Sequence, residues 1–469
     1  MDTQDKVKNL LPSNMEAEQY LLGSIMLNNE LLNVVEDFLL PEYFTHALHI
    51  KIYVAMNKIF NKNLPISIPT ISSVLHDDDD FKQNKSEEYL VFLSSNAIGV
   101  VNPKTYANII YDIYLKRQLI AIGTDIIHQV NDLDVTNTAL EKIEIIESKL
   151  FQLSEKGSIK KEFLSIDKSV SSSLESINLA RKDPKNVTGI TSGFTDLDKK
   201  LSGFQKSDLI IIAGRPSMGK TALALNIALN ATKEQNIEKK YTIGFFSLEM
   251  SSEQLVTRML SVLSSINSIN LRMGKVSEEC YNKLRDKAND LSERNIFIDD
   301  TPALSVNSIR SRARRLKRQN KLDMIIIDYL QLVRVKNNYD NRVFEISEIT
   351  QGLKAIAKDL DIPVIAISQL SRAVEQRQDK KPLLSDLRDS GTIEQDADIV
   401  MFVYREEYYL SRSVPQIGSK EYEEWQEKMG RVANLAEVSI AKHRNGPIGN
   451  VNLFYENNFA KFSNLEKNF

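Results

Sequence analysis

Residues 214–221 read Gly-Arg-Pro-Ser-Met-Gly-Lys-Thr, a G-x-x-x-x-G-K-T pattern. Glycines let a tight loop aim successive backbone N–H groups at one anion. Lys220 would then reach the β- and γ-phosphates, and the Thr221 hydroxyl would ligate Mg²⁺. An apolar run from Leu209 to Ala213 precedes the loop, and a helical pattern follows from Ala222. That order sets the anion at the positive end of a helix. Gly214, Arg215, Pro216, Ser217, Met218, Gly219, Lys220 and Thr221 are thus a candidate nucleoside triphosphate site, with ATP and Mg²⁺ as the expected ligands.

Three further polar residues end apolar runs. Asp328 closes Met324 to Ile327, where a carboxylate can hold Mg²⁺ through water. The next residue is Tyr329 and not Glu, so the catalytic base must come from elsewhere. Glu249 ends the run 242–249 and is the candidate to polarise the attacking water. A helix-capping acid is the plainer reading of the same residue. Gln369 ends 363–369 and is placed to sense the γ-phosphate.

Elements must position these groups. Runs at 208–214, 242–250, 296–299, 323–332, 363–369, 399–405, 438–442 and 451–455 predict strands. Continuous apolar strands with helices between them predict a mostly parallel sheet buried on both faces. In such a sheet the reacting residues sit at the carboxyl ends of the strands. Residues 1–155 read as helical throughout, with Asn14 as an N-cap before Glu16 and Glu18. Polar breakers isolate one amphipathic helix in 156–190, with Ile166, Val170, Leu174, Ile177 and Leu179 on its stripe. From 191 to 469 the pattern is α/β. The predicted fold is an all-α N-terminal domain and an α/β C-terminal domain, joined by a linker helix.

Composition narrows the class. The 469 residues carry a net charge of -3, so nucleic-acid binding would have to come from local clusters. One cysteine excludes an internal disulfide framework. No apolar run reaches the ~20 residues of a membrane span, and the N-terminus lacks a signal-peptide pattern, so a cytoplasmic location is expected. His46 and His49 read as core or surface residues and not as metal ligands. Asp77 to Asp80 read as a solvated loop. The basic run 310–318 predicts a helix whose charged face meets solvent or a neighbouring subunit in preference to DNA.

The ordered set of motifs resembles the DnaB-type replicative DNA helicases, whose motor is RecA-like. The resemblance covers nearly the whole chain. It runs through residues 11–23, 188–198, 214–221, 247–251, 327–332, 368–372, 385–391 and 441–447 in family order. The P-loop alone is generic, whereas the ordered set is highly specific.

The resemblance implies a homohexameric ring that encircles single-stranded DNA, moves 5′ to 3′ and unwinds the replication fork. ATP would lie between subunits, with Lys442 and Arg444 reaching the neighbour's γ-phosphate. Without the resemblance, those two residues read as a basic strand edge. Arg388, Asp389 and Gly391 look like the family's DNA-binding loop. Primase and a helicase loader are the implied partners, with no membrane. Residues 411–437 depart from the shorter family members and read as an exterior polar insertion, by default a helical hairpin. A recombinase-type filament ATPase would share the motor chemistry, but the large helical N-terminal region argues against it. A non-catalytic ATP-binding assembly factor would be expected to lose Glu249 or Arg444, and both are present.

Overall fold

The computed structural model describes residues 11–36, 38–78, 81, 86–97, 102–131, 166–182, 187–233, 240–334 and 342–465, with scattered positions between 139 and 153. Its contacts divide the chain into two units, Met1–Ser169 and Val170–Phe469.

The first unit is helical. The helix Met15–Leu27 starts where Asn14 accepts the Ala17 N–H at 3.0 Å. A side-chain cap of this kind contributes about 1 kcal/mol. Leu21, Leu22 and Ile25 lie on its buried face, against a core that includes Ile52, Tyr53, Met56, Leu90, Leu93 and Ile110. Gly23 lets this helix approach Ser86–Asn96 closely, because a Cβ there would come within 2.0 Å of the Leu93 carbonyl oxygen. His49 is fully buried, with Nδ1 2.6 Å from Glu18 Oε2 and Nε2 2.7 Å from the Tyr89 hydroxyl. His46 accepts the Leu48 N–H at 3.3 Å and caps the helix Ala47–Phe60. Both histidines thus have structural partners. Among the described residues no three or more His, Cys, Asp and Glu side chains gather as a metal-ligand group. Asp77 is solvated and Asp78 pairs with Lys51, while Asp79 and Asp80 lie outside the described residues.

The second unit is built on a sheet. Its strands are β1 (Leu209–Gly214), β2 (Ile243–Ser247), β3 (Ile296–Asp299), β4 (Met324–Asp328), β5 (Val364–Gln369), β6 (Ile399–Tyr404), β7 (Leu435–His443), β8 (Gly449–Glu456) and β9 (Lys461–Asn464). The described strands lie in the order β3-β2-β4-β5-β1-β6-β7-β8-β9. Pairing is parallel from β3 to β6 and antiparallel from β6 to β9. Alternate residues of β1 enter two different apolar layers. Ile210 and Ile212 face one, and Leu209, Ile211 and Ala213 face the other. A strand covered on both faces has no polar side, which is why its run is continuously apolar.

The outer elements differ in places from the sequence reading. β2 stops at Ser247 and not at Met250, because the Ser247 hydroxyl donates to the Met250 carbonyl at 2.6 Å and turns the chain. β4 stops at Asp328, and Leu330–Leu332 is a 3-10 turn. β9 went unpredicted. The segment Leu384–Ser390 is 3-10 helical and runs into the α-helix Gly391–Asp396, so it is not an irregular loop. The insertion between β6 and β7 carries the helices Glu406–Leu410 and Lys420–Val432, joined where Trp425 Nε1 donates to the Leu410 carbonyl at 2.9 Å. The basic helix Val306–Asn320 buries Ile309 and Ala313. It pairs Arg312 with Asp299 and Arg314 with Asp359. On the helix Ile166–Lys182, the side chains of Ile166, Val170, Leu174 and Ile177 are exposed. Among the described residues no helix is long and apolar enough to cross a membrane.

Candidate functional site

The carboxyl ends of β1, β2, β4 and β5 meet at one edge of the sheet. Gly214 and Gln369 are register partners, as are Ser247 and Asp328. The loop after Gly214 turns through Ser217 and Gly219, at φ 68° and 95°. Gly219 is tight against aromatic rings, since a Cβ would meet Phe462 at 3.2 Å. The helix Lys220–Ala231 begins there. Pro216 and Ser217 are exposed, and Met218 anchors the loop in the core. Arg215 contributes backbone to the loop, while its buried guanidinium donates to Glu375 at 2.9 Å and to the Leu370 carbonyl at 2.8 Å.

Charge is concentrated behind the loop. Lys220 Nζ donates to the Arg215 carbonyl at 3.1 Å. Burial pushes its ammonium down to about 8, although Asp328 and Glu249 attract the charged form. Asp328 is 2% exposed. Burial lifts its carboxyl above the usual range, the Thr221 hydrogen bond opposes the shift, and Glu249 adds to it. Glu249 itself lies in the turn two residues beyond β2, exposed, with its charge felt at both Lys220 and Asp328. A buried carboxylate hydrogen-bonded to a hydroxyl, beside a second carboxylate, suits a hard cation that takes oxygen ligands. One or two carboxylates plus substrate phosphates is how Mg²⁺ is usually held.

Gln369 ends β5 with its N–H 3.3 Å from Gln331 Oε1. Gln331 also donates to Ser368 Oγ at 3.0 Å, so it ties the ends of β4 and β5 together. Sequence reasoning missed Gln331. It also missed Arg258, whose charge acts on Asp328 from the helix Ser252–Ser264. Arg405 and Tyr455 form another missed pair. The guanidinium lies 4.3 Å from the Tyr455 ring centroid, and that ring is next to Gly219. Fifty positions separate the two residues in the chain. Only the β6-β7-β8 pairing brings them together, so no local pattern signals them.

Lys442 and Arg444 are not part of this cluster. His443 pairs with Ile399, and Ile399 pairs with Ile210, four residues before Gly214. At about 3.3 Å per residue they sit roughly 13 Å back along the strands, at the opposite edge of the sheet. There Lys442 donates to the carbonyls of Glu394 and Ala397, and Arg444 pairs with Asp398 at 3.3 Å. Arg388, Asp389 and Gly391 fall where the 3-10 segment passes into the helix Gly391–Asp396.

Comparison with known proteins follows the same division. A family model described as the DnaB-like helicase N terminal domain matches residues 10–112, and one described as the DnaB-like helicase C terminal domain matches 189–464. The replicative DNA helicase DnaB of Rickettsia conorii is 54% identical over 466 residues, which cover 98% of this chain and 94% of the relative. The DnaB of Geobacillus stearothermophilus is 40% identical over 463 residues, 98% of this chain and 96% of the relative. A solved DnaB-like replicative helicase, studied for its interactions with primase, superposes with a TM-score of 0.72 at 35% identity, over 97% of this chain and 100% of its own. Helical first unit, RecA-like second unit and 54% identity over 98% of the chain agree, and the chain belongs to the DnaB-like helicase family.

Proposed function

We propose that this chain is an ATP-dependent replicative DNA helicase. It works as a homohexameric ring that encircles single-stranded DNA, moves 5′ to 3′ and unwinds the fork. The observation that carries the reading is the convergence of Lys220, Thr221, Asp328, Glu249 and Gln369 on one sheet edge, with Lys442 and Arg444 on the other.

Backbone N–H groups of 217–219, beyond Pro216, which has none to give, cradle the phosphates, and Lys220 binds the β- and γ-oxygens. Thr221 and Asp328 would hold Mg²⁺, which when bound neutralises charge on the phosphates. Glu249 orients and polarises the attacking water. Gln369 senses the γ-phosphate. Lys442 and Arg444 serve the next subunit's nucleotide, because their own P-loop lies at the far edge. A cation placed there favours the transition state, where charge builds on the transferred group. Arg388, Asp389 and Gly391 contact the DNA backbone. Residues 1–155 form the collar that meets primase, 156–190 link it to the motor at 191–469, and a loader places the ring on DNA in the cytoplasm.

The test is ATPase stimulated by single-stranded DNA, together with unwinding of a 5′-tailed fork. Lys220→Ala should abolish both and keep the wild-type melting curve, since Lys220 opens its helix and burial already disfavours its charge, so truncation to alanine costs the fold little. Turnover above about a tenth of wild type in that variant, a loss of only 1.4 kcal/mol, would sink the assignment. Electron microscopy with a non-hydrolysable ATP analogue separates a ring from a filament.

A further inference from the structure

A run of polar contacts joins the phosphate loop to the proposed DNA segment. Arg215 follows Gly214 directly, and its guanidinium is bound by Glu375 and the Leu370 carbonyl. Leu370 and Glu375 flank and occupy the 3-10 turn Arg372–Gln376, which comes straight after β5. Val374, fully buried, anchors that turn. Two residues beyond Glu375, Arg377 donates to Asp386 at 2.8 Å and to the Lys381 carbonyl at 2.7 Å. The Ser371 N–H donates to the Asp386 carbonyl at 3.2 Å. Asp386 lies inside Leu384–Ser390, two residues before Arg388.

We propose that Glu375, Arg377 and Asp386 are positioning residues that couple nucleotide occupancy of the P-loop to the affinity of Leu384–Ser390 for single-stranded DNA. The proposal rests on the reading that ATP binds the first and DNA the second. Its physical basis is the cost of unpairing. Arg215 is 7% exposed, and a buried guanidinium without its carboxylate is strongly unfavourable. Glu375 must therefore follow Arg215 when phosphate moves the loop. Arg377 is too near Glu375 in the chain to stay behind, and its charge-assisted bond carries Asp386 with it. Glu375 is 44% exposed, and a glutamine in its place keeps an oxygen that accepts from Arg215, so Glu375→Gln removes the charge without leaving the guanidinium unpaired.

The experiment measures the coupling free energy itself. In the full-length protein, binding of fluorescein-labelled oligo-dT is titrated with and without a non-hydrolysable ATP analogue. Binding of a fluorescent form of that analogue is titrated with and without oligo-dT. In wild type each ligand should tighten the other by one common factor, on the order of tenfold. Glu375→Gln and Arg377→Gln should each bring the factor to within about twofold of unity, while either ligand alone binds within about twofold of wild type. The double variant should lose no more than a single one, because links in series fail together. A coupling factor that survives in both variants overturns the relay. So does a loss of both binary affinities with coupling intact, which would mark a purely structural role. Wild type that binds neither ligand overturns the functional reading, and the relay falls with it.

Discussion

Nucleotide affinity should weaken about tenfold between pH 7 and pH 9, and Lys220 sets the size of the effect. Burial pushes its ammonium down to about 8 in the free protein. At about pH 7 some nine-tenths of the Lys220 side chains are charged, and at about pH 9 roughly one-tenth. A phosphate ligand must be charged, and bound phosphate raises the proton affinity of the lysine beside it. Binding above pH 8 therefore takes up a proton. The affinity is complete below the free-protein value and is lost as pH rises through it, by about 1.4 kcal/mol per unit beyond. The assay is titration of a fluorescent non-hydrolysable ATP analogue, at saturating Mg²⁺ and constant ionic strength, across that range. Lys220→Arg is the control. Its guanidinium keeps its charge throughout, so its affinity should be flat with pH whatever its level. A flat wild-type curve would refute the argument, because it would mean that Lys220 either stays charged or does not meet phosphate.

Arg444→Ala should lower ATPase strongly yet leave ATP bound, since a finger acts mainly in the transition state. Mixing it with Lys220→Ala subunits should restore some turnover, and no rescue in mixtures that exchange subunits would remove Arg444 from a trans role. A chain beginning near Lys185, without the helix Ile166–Lys182, should fail to form stable hexamers by light scattering, because the exposed stripe of that helix is removed. A stable hexamer from it would discard the idea that this helix holds neighbours together. Arg388→Ala should weaken single-stranded DNA binding for every sequence alike and flatten its salt dependence. Asp386 is already engaged by Arg377, and an unchanged slope with unchanged affinity would take Arg388 off the DNA.

Legibility in the sequence depended on how local the cause was. β1, β4 and β5 were readable because burial on both faces leaves only apolar side chains, and their last residues announce the site edge. The P-loop was readable because its glycines answer to backbone geometry within a few residues. β9 was not, since its four residues bury only Phe462 and show no periodicity. Arg405 with Tyr455 and Arg215 with Glu375 were invisible because strand order, not spacing, makes those contacts. The helical form of Leu384–Ser390 was hidden by its polar composition, which resembles a loop, while the buried Leu387 and Asp386 hold it in shape. Arg444 could be assigned a partner only through resemblance, as nothing in its neighbourhood identifies a site on another molecule.

The sheet also acts as a ruler between two unlike faces. One rim carries the phosphate loop, and the other rim carries Lys442 and Arg444, the cations proposed to serve the next copy. An interface that joins front to back has no self-complementary patch and no intrinsic stopping point. It closes if the turn per copy divides a full circle, and otherwise it grows without end. Closure is then decided by the tilt between neighbouring motors, a quantity absent from the chemistry of hydrolysis. If the two rims serve different copies as proposed, a single chain in dilution possesses both halves of the machine and can use neither, so specific activity per chain should climb with protein concentration until assembly saturates.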